Sequence, residues 1–225
     1  AGWLYNMFSR NKAKLIHSTH GHVFYGYHGR FVAFLFGLAE KITGLVTDQL
    51  IVLTGNEINE HKKICNDMKD KFDVIHSGVQ FNPGMLDKMN MTNNELGIPE
   101  DTLVVGSVGR LDPIKGYRYF IDAAYELVKQ INVTKVKFLV VGDGTERKRL
   151  ELRVESLGMK DKFVFTGWRD NVEELISVMD IYVQPSLNEG MGKTLVLAQN
   201  AGVPVVATRV QGIPSVVIDN ETGVL

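Results

Sequence analysis

Two basic residues stand in a loop bounded by glycines, GRLDPIKG, at Gly109–Gly116. The loop leaves a strand-like run and leads into a helix-like run, and its glycines let the backbone approach a ligand closely. Arg110 offers a planar fork of donors and Lys115 a point charge, so the pair suits a diphosphate. The alternative is a solvated loop with ordinary surface cations, because basic pairs are common.

A second stretch, NEGMGK, places a carboxylate beside two glycines, just ahead of a helix predicted to begin near Lys193. The first turn of a helix has free N–H donors and partial positive charge, so it attracts anions. Gly190 and Gly192 keep those amides uncovered. Glu189 cannot hold a phosphate, but it can accept hydrogen bonds from sugar hydroxyls. Diphosphate and polyol together describe a nucleotide-sugar, and the alternative for Glu189 is a helix cap.

Alternating strand and helix patterns position these loops. From residue 102 onward, short β-branched or aromatic runs closed by Gly, Pro or Ser predict buried strands, with helix-period segments between them. The predicted strands are Leu103–Gly109, Lys135–Gly144, Lys162–Gly167, Asp180–Ser186 and Val203–Thr208, and the predicted helices are Tyr117–Gln130, Glu146–Leu157, Val172–Met179 and Thr194–Asn200. This alternation predicts an α/β fold with a doubly wound parallel sheet, which binds ligands at the carboxyl ends of its strands.

The N-terminal part has a shorter pattern of the same kind. Its predicted strands are Ala13–Thr19, Asp48–Gly55 and Lys71–Val79, and its predicted helices are Arg30–Thr43 and residues 56–65. Phe81–Asp101 has no strand pattern and is rich in turn residues. We interpret it as the linker between two α/β domains, residues 1–93 and 94–225.

The most apolar segment is Phe31–Val46, which contains Glu40 and Lys41 and is too short to span a bilayer. A helix of an α/β layer packs one broad face on the sheet, so we predict that this segment belongs to the core. A surface that contacts the membrane is the alternative.

Composition and net charge have the ordinary values of a globular protein with a hydrophobic core. The 225 residues are 44% hydrophobic and carry a net charge of −1, so nothing global indicates a nucleic-acid partner. Cys65 is the only cysteine, which fits a reducing compartment, most simply the cytoplasm. The first residue is alanine, and the chain stops where another element is expected, so we interpret the sequence as a fragment.

From Val104 to Leu225 the chain resembles the C-terminal, donor-binding domain of retaining glycosyltransferases of family 4, also called group 1. The segments that carry this resemblance are VGSVGRLDPIKG, FLVVGDG, FVFTGWRDNV, MDIYVQPSLNEGMGKTLVLAQNAGVPVVATRVQGIPSVV and DNETGVL. HSTHGHVFYGYHG, TDQLIVLTGNEINEH and VIHSGVQF are similar to the second half of the acceptor-binding domain. The resemblance implies the GT-B fold, with two Rossmann-like doubly wound parallel-sheet domains, of which the N-terminal one is incomplete here.

The resemblance also assigns roles. Arg110 and Lys115 match the basic pair that holds the donor diphosphate and stabilises the departing nucleotide. Glu189 matches the first carboxylate of the E-x7-E motif, which contacts the donor sugar. The loop whose backbone amides touch sugar and phosphate is matched by Gly190, Met191 and Gly192. The loop Thr166–Asn171 stands where the nucleotide base usually packs.

His20 matches a histidine of the acceptor domain that faces the reaction centre. It belongs to a group of four histidines within twelve residues, with His17, His22 and His28, and such a group raises the question of a metal site. No cysteine or acidic residue is near, so the pattern does not favour a metal. We predict that His20 donates to or orients a group in the cleft between domains, opposite Glu189.

The sequence departs from the family pattern at three positions. Leu197 stands where the second glutamate of the motif usually accepts bonds from the ribose hydroxyls. Gln211 replaces a usual glycine, and Ser215 replaces a usual acid. From the resemblance, the loss at position 197 is expected to weaken donor binding without necessarily stopping the chemistry.

The resemblance thus implies a hexosyltransferase-type enzyme that uses a nucleotide-diphosphate sugar, a glycan or lipid-linked acceptor, no metal and no cofactor. It would retain the anomeric configuration and work in the cytoplasm, and a peripheral contact with the inner membrane face stays open. Two alternatives remain. A nucleotide-sugar epimerase of the same fold would need more acid/base residues around the sugar, and a non-catalytic GT-B module is suggested by Leu197.

Overall fold

The structure is a computed structural model that describes Phe8 and residues 13–19, 29–64, 71–79, 95–131 and 134–225. The chain divides into two compact units. The first comprises the described residues up to Gly78 with 188–191 and 210–215, and the second comprises the described part of 79–187 with 192–209 and 216–225. His20, the predicted boundary between residues 93 and 94, and most of the predicted linker lie outside the described residues.

The first unit contains a parallel three-stranded sheet in the order β1-β2-β3. Its elements are β1 (Ile16–Ser18), α1 (Arg30–Val46), β2 (Gln49–Val52), α2 (Gly55–Ile64) and β3 (Phe72–Val74). Each lies where the sequence predicts an element of that type, although the strands are shorter than predicted. A sheet of three strands fits an incomplete domain of the doubly wound kind.

The prediction that Phe31–Val46 packs its broad apolar face in the core is wrong in the described structure. The large apolar side chains of α1 are exposed: Phe31, Val32, Phe34, Leu35, Phe36, Leu38, Ile42, Leu45 and Val46. The less exposed residues of α1 are small or polar: Ala33, Gly37, Glu40 and Gly44, at a 4-3-4 spacing, with Thr43 beside Gly44. Apolar residues occur on all sides of this helix. Its sequence therefore does not reveal which face meets the sheet.

Among the helices of the described chain, none combines the length and apolarity that crossing a bilayer requires.

Glu40, one of the less exposed residues of α1, supports a prediction about stability. Burial raises the pKa of its carboxyl above the ordinary 4.5, and nearby His17 only partly opposes this. The protonated carboxyl therefore stabilises the fold below its ordinary pKa, and this contribution is lost as the pH rises through the raised value. We expect Glu40→Gln to raise the unfolding free energy at pH 7 by about 1.4 kcal/mol per unit of raised pKa, and to have no effect near pH 3.

Thermal unfolding at the two pH values measures the difference. Glu40 Oε1 lies 3.8 Å from His61 Nδ1 and 4.0 Å from His17 Nδ1. A less stable variant at pH 7 would show that these imidazoles hold an ionised carboxylate, contrary to the prediction.

The second unit contains a parallel five-stranded sheet in the order β6-β5-β4-β7-β8. Its strands are β4 (Leu103–Val108), β5 (Val136–Val141), β6 (Phe163–Gly167), β7 (Ile181–Gln184) and β8 (Val205–Ala207), and its helices are α3 (Tyr117–Ile131), α4 (Arg147–Ser156), α5 (Val172–Ser177) and α6 (Lys193–Asn200). All nine elements were predicted, with bounds that differ by a few residues. The predicted α/β fold class is therefore confirmed.

Aromatic packing holds α3 against one face of this sheet. Phe120 meets Phe138 and Phe163 edge-on, with ring centroids 6.0 and 6.1 Å apart, and Phe138 stacks on Phe163 at 5.0 Å. All three side chains are buried. Edge-to-face and offset-stacked pairs are favourable aromatic geometries, so this cluster fixes the sheet from which the candidate loops emerge.

Candidate functional site

The predicted cation loop lies at the carboxyl end of the central strand β4. Arg110 comes two residues after that strand, and its guanidinium is exposed, with Nη1 3.4 Å from Asp112 Oδ2. Lys115 is the last residue of a 3₁₀ turn, Pro113–Lys115, and is half-buried. The loop therefore carries both cations at the edge of the sheet where doubly wound folds bind ligands.

Glycines lock this loop between its two neighbours. Gly116 has φ 69°, and a Cβ there would lie 2.0 Å from the Pro185 carbonyl oxygen, beyond β7. Gly142 has φ 130°, and a Cβ there would lie 2.0 Å from the Gly109 carbonyl oxygen. Only glycine permits both the left-handed conformation and such a close approach, so the loop after β4 is fixed from both sides.

A backbone hydrogen bond joins the cation loop to the segment that leads to the predicted sugar-binding carboxylate. Leu187 N donates to Ile114 O at 2.8 Å. Ile114 precedes Lys115, and Leu187 stands two residues before Glu189 in the chain. Because β4 and β7 are adjacent parallel strands, the residues that directly follow them, up to Leu187 after β7, are neighbours within the second unit.

The start of α6 is where the sequence placed it, at Lys193. Gly192 is the N-cap residue, with φ 74° and ψ 60°; it makes no side-chain cap, and the first turn contains no acidic residue. The first turn of α6 therefore has no carboxylate of its own, and its N–H groups carry the partial positive charge of a helix N-terminus. This end can bind an anion.

Residues 188–191 belong to the first unit. Glu189 is half-buried, and its carbonyl oxygen accepts a hydrogen bond from Gly212 N at 3.2 Å. Met191 is buried, and its sulfur accepts a hydrogen bond from Ser77 N at 3.3 Å. A Cβ at Gly212 would lie 1.4 Å from the Gly190 carbonyl oxygen, so Gly212 presses directly on the loop. The sequence analysis missed this contact.

A third cation near the strand ends, Arg147, is paired with two carboxylates. Arg147 donates to Asp143 at 2.7 Å and to Glu151 at 2.9 Å. The bonds from Arg147 and from Gly144 N lower the pKa of the Asp143 carboxyl. Two carboxylates thus neutralise this guanidinium.

The three departures from the family pattern have different environments. Leu197 is half-buried in α6, one turn beyond Gly192, and Ser215 is exposed at the end of a 3₁₀ turn. Gln211 has φ 37°, which is unusual for a residue other than glycine. Its carbonyl oxygen accepts a hydrogen bond from Asn56 Nδ2 at 2.8 Å, within the first unit.

The metal alternative rested on four histidines, of which only His17 falls in the described part of the chain. Its imidazole lies 4.0 Å from Glu40. Across the described residues, no three His, Cys, Asp or Glu side chains are grouped as metal ligands. His20, His22 and His28 lie outside the described residues.

Comparisons with known proteins agree on one family. The family model described as glycosyl transferases group 1 matches residues 90–225. An α-1,3-galactosyltransferase of Escherichia coli, whose name gives UDP-Gal and α-D-GlcNAc-diphosphoundecaprenol as substrates, is 29% identical over 88% of this chain and 52% of its own length. A D-inositol 3-phosphate glycosyltransferase of Corynebacterium diphtheriae is 34% identical over 79% of this chain and 44% of its own length. The chain thus spans about half the length of these curated relatives.

The fold also matches solved structures. HepE of Anabaena, solved in complex with UDP-glucose, superimposes with a TM-score of 0.83 at 22% identity, covering 100% of this chain and 60% of HepE. At this level of identity the likeness shows the fold alone. Together with the parallel sheets of both units, it shows the GT-B architecture.

Proposed function

The chain belongs to the group 1 glycosyltransferase family, and from this premise we propose that the whole protein moves a sugar from a nucleotide-diphosphate sugar to an acceptor with retention of configuration. One observation carries the proposal. A loop with two cations after β4 is hydrogen-bonded to the segment after β7, beyond which α6 begins without a side-chain cap.

The donor diphosphate would bind to groups of the second unit. Arg110 and Lys115 supply positive charge, and the uncapped end of α6 supplies N–H donors at Gly192 and Lys193. These groups would neutralise the charge that develops on the leaving nucleoside diphosphate, which is the usual role of a metal in other transferases. We therefore propose hexosyl transfer without a metal.

Glu189, Gly190 and Met191 are proposed to contact the donor sugar. A carboxylate accepts hydrogen bonds from sugar hydroxyls, and backbone amides of the loop donate to sugar and phosphate oxygens. His20 would face the acceptor, and a donor phosphate oxygen would receive the acceptor proton as the acceptor attacks from the same face. The family likeness and the residue types support these roles.

For the acceptor we propose a glycan or a lipid-linked sugar. The E. coli relative is named for a diphosphoundecaprenol-linked acceptor, and such an acceptor lies at a membrane. The exposed apolar side chains of α1 support a proposed peripheral contact with the inner membrane face. The lone cysteine favours the cytoplasm as the compartment.

Incubation of the whole protein with a panel of nucleotide-sugars and candidate acceptors tests this function. Transfer of the sugar, or its slow hydrolysis without an acceptor, supports the proposal. Epimerisation of the donor supports the alternative of a nucleotide-sugar epimerase. Absence of any reaction, with the protein folded, supports a non-catalytic module.

Leu197 gives a prediction about donor affinity. A glutamate at this position would reach the ribose hydroxyls from the first turns of α6, and a hydrogen bond to a charged group is worth roughly 1.5–3 kcal/mol. We expect Leu197→Glu to tighten nucleotide binding by about one to two powers of ten, seen mainly in the Michaelis constant because the ribose is remote from the reacting bond.

Titration calorimetry with UDP, GDP and ADP measures this gain, and Leu197→Gln serves as the uncharged control. Unchanged affinity in the glutamate variant would mean that another group holds the ribose.

A further inference from the structure

Gln184, the last residue of β7, is a polar side chain buried at the carboxyl end of the sheet. It is only 3% exposed, although the preceding strand residues are apolar or aromatic. Burying an amide costs free energy unless hydrogen bonds compensate it. A buried amide at this edge, next to the candidate loop, therefore needs a structural or functional reason.

The amide of Gln184 holds both ends of the segment that carries the candidate residues. Nε2 donates to Ser186 Oγ at 2.8 Å, and Oε1 accepts from Thr194 Oγ1 at 3.2 Å. Ser186 is the second residue after β7, and Thr194 is the second residue of α6. One side chain thus joins the end of the strand to the first turn of the helix.

A further hydrogen bond orients this amide without touching the loop. The Tyr182 hydroxyl, on the same strand, donates to Gln184 Oε1 at 2.6 Å, and both side chains are buried. Two hydroxyl donors therefore share the amide oxygen, which leaves the amide nitrogen facing Ser186. The hydrogen bond from Tyr182, on the strand, therefore fixes the orientation of the amide that holds Ser186 and Thr194.

We propose that Gln184 is a positioning residue for residues 187–193. It sets the separation between the two ends of this loop and thereby aims the uncapped amides of Gly192 and Lys193. The link from this geometry to the donor rests on the proposed function. The order of the loop itself can be measured without a ligand.

Two nearly isosteric variants distinguish the hydrogen bond from the loop (Thr194) from the hydrogen bond from the strand (Tyr182). Thr194→Val removes the hydroxyl on the loop side, and Tyr182→Phe removes the one on the strand side, which also lies 3.3 Å from Val108 O; both variants thus delete a hydrogen bond to Gln184 Oε1. We expect Thr194→Val to speed amide hydrogen exchange across residues 187–193 by about five- to tenfold, the effect of losing one hydrogen bond. Tyr182→Phe should lower the unfolding temperature while leaving exchange in this segment unchanged.

A ligand readout accompanies the exchange measurement. In calorimetric titrations of the whole protein with UDP, GDP and ADP, Thr194→Val should weaken binding of the preferred nucleotide by about five- to tenfold, and Tyr182→Phe should not. Equal amide exchange of residues 187–193 in the two variants overturns the proposal. Faster exchange in Thr194→Val with an unchanged nucleotide affinity overturns it too. If the unmodified protein binds no nucleotide but exchange differs as expected, the positioning role stands and the proposed function fails.

Discussion

Replacing Lys115 with alanine is expected to lower turnover by about 10²-fold or more, the scale seen when one stabiliser of developing charge is removed. Gly116 is packed against Pro185, and Ile114 is tied to Leu187, so the backbone of the loop is fixed on both sides of Lys115. The loss should appear mainly in kcat, because the charge on the leaving diphosphate grows in the transition state.

Steady-state kinetics with the preferred donor measures this effect. Lys160→Ala is the matched control, since that lysine is exposed, lies in a 3₁₀ turn before β6 and only approaches Glu155 at 3.7 Å. A Lys115→Ala variant that turns over at the rate of the Lys160→Ala control would remove Lys115 from the donor site.

Replacing Gly212 with alanine is expected to reduce kcat/KM by about 10²-fold, because a displacement of about 1 Å in positioning groups can have that effect. The added Cβ would lie 1.4 Å from the Gly190 carbonyl oxygen, and the obstacle is backbone, which cannot rotate away. The contact between the Gly212 segment and the loop with Glu189 must therefore open. The hydrogen bond from Gly212 N to Glu189 O would be distorted at the same time.

Gly55→Ala provides the control in the same unit, because a Cβ at Gly55 meets nothing within 4 Å. Kinetics and thermal unfolding are measured on both variants. Full activity of Gly212→Ala would mean that the Glu189 loop can move without consequence, and the role given to this loop would be wrong.

Sequence patterns predicted the second unit well because its elements are bounded by strong signals. Strands such as Val136–Val141 and Val205–Ala207 are apolar runs rich in β-branched residues, and amphipathic spacing in Tyr117–Ile131 places Phe120 on the sheet. The start of α6 followed from the glycines before Lys193. These signals are local, so the sequence alone contains them.

The errors concern contacts between segments that are distant in sequence. In α1 apolar residues occur on all sides of the helix, so the sequence has no periodicity that indicates its buried side. The structure shows that the less exposed stripe contains Ala33, Gly37, Glu40 and Gly44. The contact of Gly212 with Gly190 joins two loops, and nothing local marks it. Gln184 did carry a signal, since an amide in an otherwise apolar strand indicates a buried hydrogen-bond network.

The most direct test of the central claim is a crystal structure of the whole protein with a bound nucleoside diphosphate. The account predicts that the diphosphate oxygens lie within hydrogen-bond distance of Lys115 Nζ, of the Arg110 guanidinium and of the N–H groups at Gly192 and Lys193. A diphosphate bound elsewhere, or one held without either cation or the start of α6, would contradict it.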